Sequence, residues 1–412
     1  MALPATPTVE IRLGVGAGWG DVLVLGDPDD GILGSNVLGS SVIQVANITT
    51  DVQRIAIRRG RDRMFEQYQP GQAIIQFLDR TGAWNPDNTS SPYYGDILPM
   101  RQVKIHTIYS GTTYNLFTGF ISSWDWNWAD QAADYAIVTI QCVDAFRILQ
   151  LAEIDNVTGA ANKDLPGTRI GLILDEIGWS PGLRAIDTGD TELQNDPGGL
   201  RTSLSALQNI EASDLGALFI DGDGYITYLS RVTLSQRATG TAVIFDDDGT
   251  DIAYQDLDIN LDETELANSV TFERLGGSPQ TVSDATSIAD YFLRSYSRTG
   301  LMMKTNATAL ARATSVLNYR KEPRLRVDSI TLDLSSNSNR VTPGLDLDIG
   351  DPIIVRREMA AGTGFDLRVT VNGIKHDITP DRWITSFTTA YPLSTAFILG
   401  SAQFGILGTN TL

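Results

Sequence analysis

The phrases LPMRQVKI (98–105), LFTGFISSW (116–124) and AIVTIQC (136–142) follow one another in the first third of the chain. They read as a proline-led loop opening a strand, a strand with a central glycine, and a third apolar strand. The same order returns near the other end as LDIGDPIIVRR (347–357), RVTVNGIKHDI (368–378) and RWITSFTTAYP (382–392), with Gly119 and Gly373 in matching places. Each phrase is short, rich in β-branched and aromatic residues, and bounded by turn formers, as strands are. The repetition predicts two related, small antiparallel β-barrels.

Around the first set, residues 42–148 read as β throughout. In VQRIAIRRG (52–60), Val52, Ile55 and Ile57 stand nearly in alternation with polar neighbours. QAIIQFLD (72–79) follows, then the turn-rich RTGAWNPDNTSSPYYGD (80–96). Between the two sets the pattern changes. TRIGLILDEIG (168–178) puts Ile170, Leu174 and Ile177 on one helical face, with Thr168 as cap and Gly178 as stop. SLSALQNIEASD (203–214) repeats the plan with Ser203 as cap and Leu204, Leu207 and Ile210 on the face. An Asp-Gly pair inside LGALFIDGDGYITYLSR (215–231) predicts a hairpin. SIADYFLRSY (287–296) and NATALARATSVLNYR (306–320) read as helices, the second stopped by Pro323. The expected organisation is mainly β with an α/β insert. It comprises an extended N-terminal arm (1–41), a first barrel (42–150), a mixed insert (151–323), a second barrel (324–393) and a C-terminal arm (394–412).

Bulk properties narrow the function. At 412 residues the chain exceeds one ordinary core. A hydrophobic share of 42% with 20% charged residues describes a packed protein. The formal net charge of -19 repels phosphates and anionic lipid, which disfavours general nucleic-acid or membrane binding. Cys142 is the single cysteine, so neither an intrachain disulfide nor a cysteine zinc cluster is available. No leader pattern opens the sequence and no run of about 18 apolar residues occurs, so a soluble protein made in the cytosol is expected.

The termini share a phrase. GILGSNVL (31–38) and GILGTNTL (405–412) are short, apolar and glycine-punctuated. Two readings stand side by side: arms that add strands to a neighbour's sheet edge, or segments that close their own barrel.

Residues 57–86, IRRGRDRMFEQYQPGQAIIQFLDRTGAWNP, carry a resemblance. Arg59-Gly60-Arg61, the pair Phe65-Glu66, the Pro70-Gly71 turn, Leu78-Asp79-Arg80, Gly82 and Trp84-Asn85-Pro86 resemble the opening barrel of minor tail proteins of long-tailed phages. This is the tail-hub family related to contractile-phage baseplate hubs. LFTGFISSW, IQCVDAFRIL, the closing VNGIKHDITPDRWITSFTTAYP and the terminal FGILGTNTL fit in order.

The resemblance implies two barrels with an inserted α/β region, assembled as a homotrimer. Three copies carrying two like barrels would give six around one axis, joining a sixfold tail tube to threefold distal tip or fibre proteins. The implied place is the phage tail tip in the virion, after synthesis in the host cytoplasm. The implied neighbours are the distal tail ring, the tape measure and tip or fibre proteins. DNA would pass as cargo through an acidic channel, and no membrane binding by this chain alone is expected. A sixfold distal tail ring and a carbohydrate-binding receptor component are the alternatives.

No catalytic, cofactor or metal residue is expected. His106 and His376, one per barrel, lack a nucleophile-elbow or zinc-binding context and read as half-exposed strand residues. DGDGYI (221–226) and DDDGTD (246–251) lack the full calcium-loop set and read as turns. GVGAGWG (14–20) lacks the spacing and lysine of a phosphate loop. Asp175/Glu176 and Asp262/Glu263 are sequence neighbours, which do not converge on one substrate as glycosidase carboxylates must, so a cell-wall hydrolase is the least favoured reading. No fused lysin is expected after the second barrel either.

Two clusters remain as interface candidates. WDWNW puts Trp124, Trp126 and Trp128 on one strand face, read as a packed face or subunit interface before a glycan platform. RIAIRRGRDR supplies Arg54, Arg58, Arg59, Arg61 and Arg63; the last four are expected to pair with carboxylates of a neighbouring subunit.

Overall fold

The computed structural model describes residues 3–13, 44–128, 135–358 and 364–393. The shared terminal phrases, the 14–20 loop and the arm from 394 onward lie outside the described residues.

The N-terminal half is built from seven strands: β1 (Pro7–Arg12), β2 (Val45–Asn47), β3 (Val52–Gly60), β4 (Gln69–Asp79), β5 (Gln102–Tyr109), β6 (Thr112–Asn127) and β7 (Ala136–Val143). Alternation decides which face is buried. Ile55 and Ile57 on β3, Ala73, Ile75 and Phe77 on β4, and Val138, Ile140 and Cys142 on β7 all point inward. The strand order is β3-β4-β7-β6-β5-β1-β2. The long connection after β4 passes over β7 and β6 before β5 begins, a Greek-key arrangement. Part of the expected N-terminal arm is thus a strand, since β1 pairs with β5 along its whole length.

Helix α1 (Phe146–Leu151) leads into the insert, which contains two α/β units. The first has β8 (Glu153–Ile154), α2 (Pro166–Glu176), β9 (Arg184–Ile186), β10 (Arg201–Thr202), α3 (Ser203–Asp214), β11 (Ala217–Ile220), β12 (Ile226–Leu229) and α4 (Arg231–Thr239). Two caps differ from the expected ones. Helix α2 starts at Pro166, whose fixed φ suits the first helical position, rather than after Thr168. In α3 the cap is Thr202, whose side chain accepts from Ser205 N.

Next come β13 (Val243–Asp246), β14 (Ile252–Ala253) and β15 (Asp256–Asn260), which leave the insert and join the C-terminal sheet, β13 and β15 by pairing with its strands and β14 beside β13. The second unit follows with β16 (Ser269–Arg274), β17 (Gln280–Ser283), α5 (Ala285–Tyr291), β18 (Ser295–Leu301) and α6 (Asn306–Arg320). It has its own core, in which Ala309, Ala313, Val316 and Leu317 of α6 cover Val270 and Phe272.

The C-terminal half adds β19 (Arg326–Asp333), α7 (Val341–Asp346), β20 (Pro352–Arg357), β21 (Phe365–Thr379) and β22 (Arg382–Ala390). Its strand order is β15-β19-β22-β21-β20-β13-β14, position for position the order of the first half. Only one outer strand changes direction, since β1 runs antiparallel to β5 and β2 whereas β13 runs parallel to β20 and β14.

The agreement extends to single residues. Met100 N donates to Ile121 O and Ile121 N to Arg101 O, as Gly350 N donates to Val371 O and Val371 N to Asp351 O. Met100 and Gly350 both take positive φ, 63° and 91°. Each long strand changes partner at one residue, Phe120 or Thr370, and is bulged just after it. This register also corrects the matching of Gly119 with Gly373. Gly119 precedes the change of partner and Gly373 follows it, so bulge geometry, and not the glycine, marks the equivalent places.

The halves meet along β21 and β3, giving one large mixed sheet. Neither half pairs its first strand with its last among the described residues, so the barrels expected from the sequence are not closed by strand pairing there. No described helix is long and apolar enough to cross a membrane.

Candidate interface at the seam and the tryptophan row

One edge of β21 serves two strands in succession. Residues from Phe365 to Thr370 pair with β20, and those from Gly373 to Ile378 pair with β3. The second contact is the seam between the halves. Its inward row is Ile374, His376 and Ile378, all buried. On the outer face Arg54 grips Asp377 through two bonds of 3.0 Å. That pair is half exposed, so it fixes register more than it stabilises.

His376 is fully inside rather than half exposed. Burial, aided by the nearby Arg59 charge, pushes its pKa down to about 3. Trp383 Nε1 lies 3.3 Å from its Nδ1, and the Thr385 hydroxyl 2.9 Å from the same atom. Nδ1 therefore accepts and the proton sits on Nε2. His106 is also shifted down by burial.

The arginines divide by strand parity. Arg54 and Arg58 face outward, while Arg59 and Arg61 continue the inward row of Ile55 and Ile57 and are buried. Arg59 reaches Asp348 at 3.2 Å. Arg61 donates to Glu66 O at 3.1 Å, lies 3.9 Å from Glu211, and stacks 4.3 Å over the Tyr68 ring. The carboxylates that Arg59 and Arg61 meet thus belong to their own chain. Their parity with Ile55 and Ile57 was the signal that placed them inside. Arg58 is exposed and bonds Asp62 at 2.6 Å; Arg63 is exposed.

Around these arginines sit acids that sequence reasoning did not single out. Burial pushes Glu211 up to about 7 despite Arg61, and Asp144 to about 7 despite bonds from Gly71 N (2.5 Å) and Phe146 N (2.9 Å). The following loop carries Phe65 into the second α/β unit. Its ring packs edge-on to Tyr319 at 5.1 Å, Arg320 covers Tyr296 at 4.6 Å, and Arg298 donates to Phe65 O at 2.5 Å. The Phe65-Glu66 pair of the sequence motif is therefore an internal anchor.

Trp124 and Trp126 stack 6.2 Å apart, and Trp84 from the loop after β4 stacks on Trp124 at 5.7 Å. Both indoles are satisfied by that loop, with Trp124 Nε1 donating to Leu98 O (3.1 Å) and Trp126 Nε1 to Trp84 O (2.7 Å). Trp128 lies past the end of β6 and is exposed. The row is thus one packed pair and one open ring. DGDGYI forms the β11–β12 turn, with Asp221 accepting from Tyr225 N, and DDDGTD joins β13 to β14 through Asp246 accepting from Asp251 N.

No protein-family model and no curated protein matches the sequence. Solved structures do match. The tail protein from Neisseria meningitidis MC58 aligns with a TM-score of 0.58 at 12% identity, over 94% of this chain and 96% of its own. The 43 kDa tail protein of prophage MuSo2 from Shewanella oneidensis gives 0.53 at 13% identity, over 85% and 96%. A chain of the half-lidded Francisella PdpA-VgrG complex gives 0.50 at 10% identity, over 93% of this chain and 57% of that one. At such identities the likeness is one of fold, which this chain shares with those two tail proteins.

Proposed function

We propose that this chain is a structural hub of a phage tail tip, assembled as a homotrimer in which six like half-sheets surround the DNA channel. The observation that carries the reading is the internal duplication: two halves with one strand order, one partner change and one bulge position. Three such chains face a sixfold tube on one side and a threefold tip on the other. The whole-length likeness in fold to two tail proteins supports the same assignment. Distal tail ring, tape measure and tip or fibre proteins are the neighbours this place would give it.

The role is geometric and involves no covalent chemistry, in keeping with two strand histidines whose pKa values burial lowers. The net charge of -19 suits a wall past which DNA must slide, and the surplus carboxylates would be concentrated there. Light scattering on the purified protein, with imaging of tail particles, tests this. Three copies per ring are expected; six identical copies would convert the reading to a distal tail ring. Glycan binding that vanishes in Trp128→Ala would instead favour a receptor component.

A further inference from the structure

The intrachain seam has a vacant counterpart. In the C-terminal half one edge of β21 carries β20 and then β3. In the N-terminal half the matching edge of β6 carries β5, and past the bulge the backbone from Ser123 to Asn127 pairs only with β7 among the described residues. The strand equivalent to β3 is β15, which among the described residues pairs only with β19.

The equivalence can be followed through directly opposed residues. Ile55, Ile75, Ile140 and Trp124 form one row across β3, β4, β7 and β6. Leu257, Ile330, Phe387 and Ile374 form the matching row across β15, β19, β22 and β21. Trp124, Trp126 and Trp128 therefore occupy the places of Ile374, His376 and Ile378.

We infer that β15 of one chain pairs antiparallel with the Ser123–Trp128 edge of a second copy, with Asp258 opposite Asn127 and Leu257 opposite Trp128. This deepens the trimeric reading and rests on it.

Burial supports the pairing independently. Ile378, under the existing seam, is 2% exposed, whereas its counterpart Trp128 is 59% exposed. On the other partner Ile259 and Leu261 are 36% and 63% exposed. Open apolar groups thus lie on both edges that the duplication brings together. The matched register sets Asp258 against Asn127 and Asp125 against Asn260, so no carboxylate directly opposes another. Internal and intermolecular seams would then alternate head to tail around the ring, a heterologous contact that closes.

The test uses the full chain carrying both Asn127→Cys and Asp258→Cys, oxidised and compared with each single variant; Cys142 is buried and takes no part. Directly opposed strand residues come close enough for a disulfide. Non-reducing gels of the double variant should show covalent species of up to three chains, absent from both single variants and lost on reduction. Trp128→Cys with Leu257→Cys reads the same register if the first pair does not fold. Protein that is trimeric by light scattering yet uncross-linked in both pairs overturns the seam and leaves the trimer standing. Protein that is monomeric in solution and not threefold in tail particles overturns both.

Discussion

Gly60 faces Gly373 across the seam, and neither can carry a side chain there. Gly60 has φ 101°, and a Cβ built on it would lie 2.3 Å from Asn372 O and 2.5 Å from Gly373 Cα. This is the glycine between Arg59 and Arg61 in the sequence motif. It lets two backbones approach while the arginines on either side turn inward.

Gly60→Ala should therefore cost at least about 3 kcal/mol, because a left-handed backbone penalty adds to a backbone clash that no rotamer relieves. Chemical denaturation measures it. A loss below about 1 kcal/mol would mean that the seam tolerates separation and is not the rigid joint described.

Phe65→Ala should remove the ring that joins the first half to the second α/β unit, at about 2–4 kcal/mol. Hydrogen exchange should rise first in β18 and α6, which hold Tyr296 and Tyr319. Uniform acceleration over the whole chain would argue against a local anchor.

Stability should rise as pH falls from 8 toward 6. Glu211 and Asp144 have folded pKa values of about 7, above their ordinary 4.5 and 3.8. An acid raised on folding binds its proton more tightly in the folded state. Its contribution therefore grows as pH drops through about 7 and is complete below its unfolded value. Melting temperatures at pH 8 and pH 6 should separate less in Glu211→Gln than in the parent. An equal gain in both proteins would assign the effect to other groups.

The tryptophans should behave differently from one another. Trp126→Ala strips a half-buried ring that stacks on Trp124 and bonds Trp84 O, and should cost the isolated chain about 2–4 kcal/mol. Trp128→Ala should change the stability of the isolated chain by less than about 0.5 kcal/mol while weakening self-association. Denaturation curves and sedimentation at matched concentrations separate the two effects. A Trp128 variant that assembles as tightly as its parent would remove that ring from the interface.

Much of the architecture was written locally. Alternation in VQRIAIRRG, QAIIQFLD and AIVTIQC marked strands and their buried faces, and helical spacing in the insert marked α3 and α6. These signals survive because period and turn chemistry depend only on near neighbours. The three-phrase repeat likewise announced a duplication that the strand order extends to seven positions in each half. Legible too, though misread, was the inward parity of Arg59 and Arg61.

Tertiary structure alone decided the rest, because it depends on which distant groups share space. Nothing local in VIFDDDGTDIAYQDLDIN tells that it leaves the insert to complete the second sheet; β20 and β19 supply those partners from far along the chain. Nothing local in RRGR reveals that Asp348 and Glu211 wait opposite. The tryptophan row is the clearest case. WDWNW by itself says only that three rings share a strand face, and their meaning came from lying where Ile374, His376 and Ile378 lie in the other half. A sequence sets the pattern of each strand; the edge it leaves open is defined only once every other strand has taken its place.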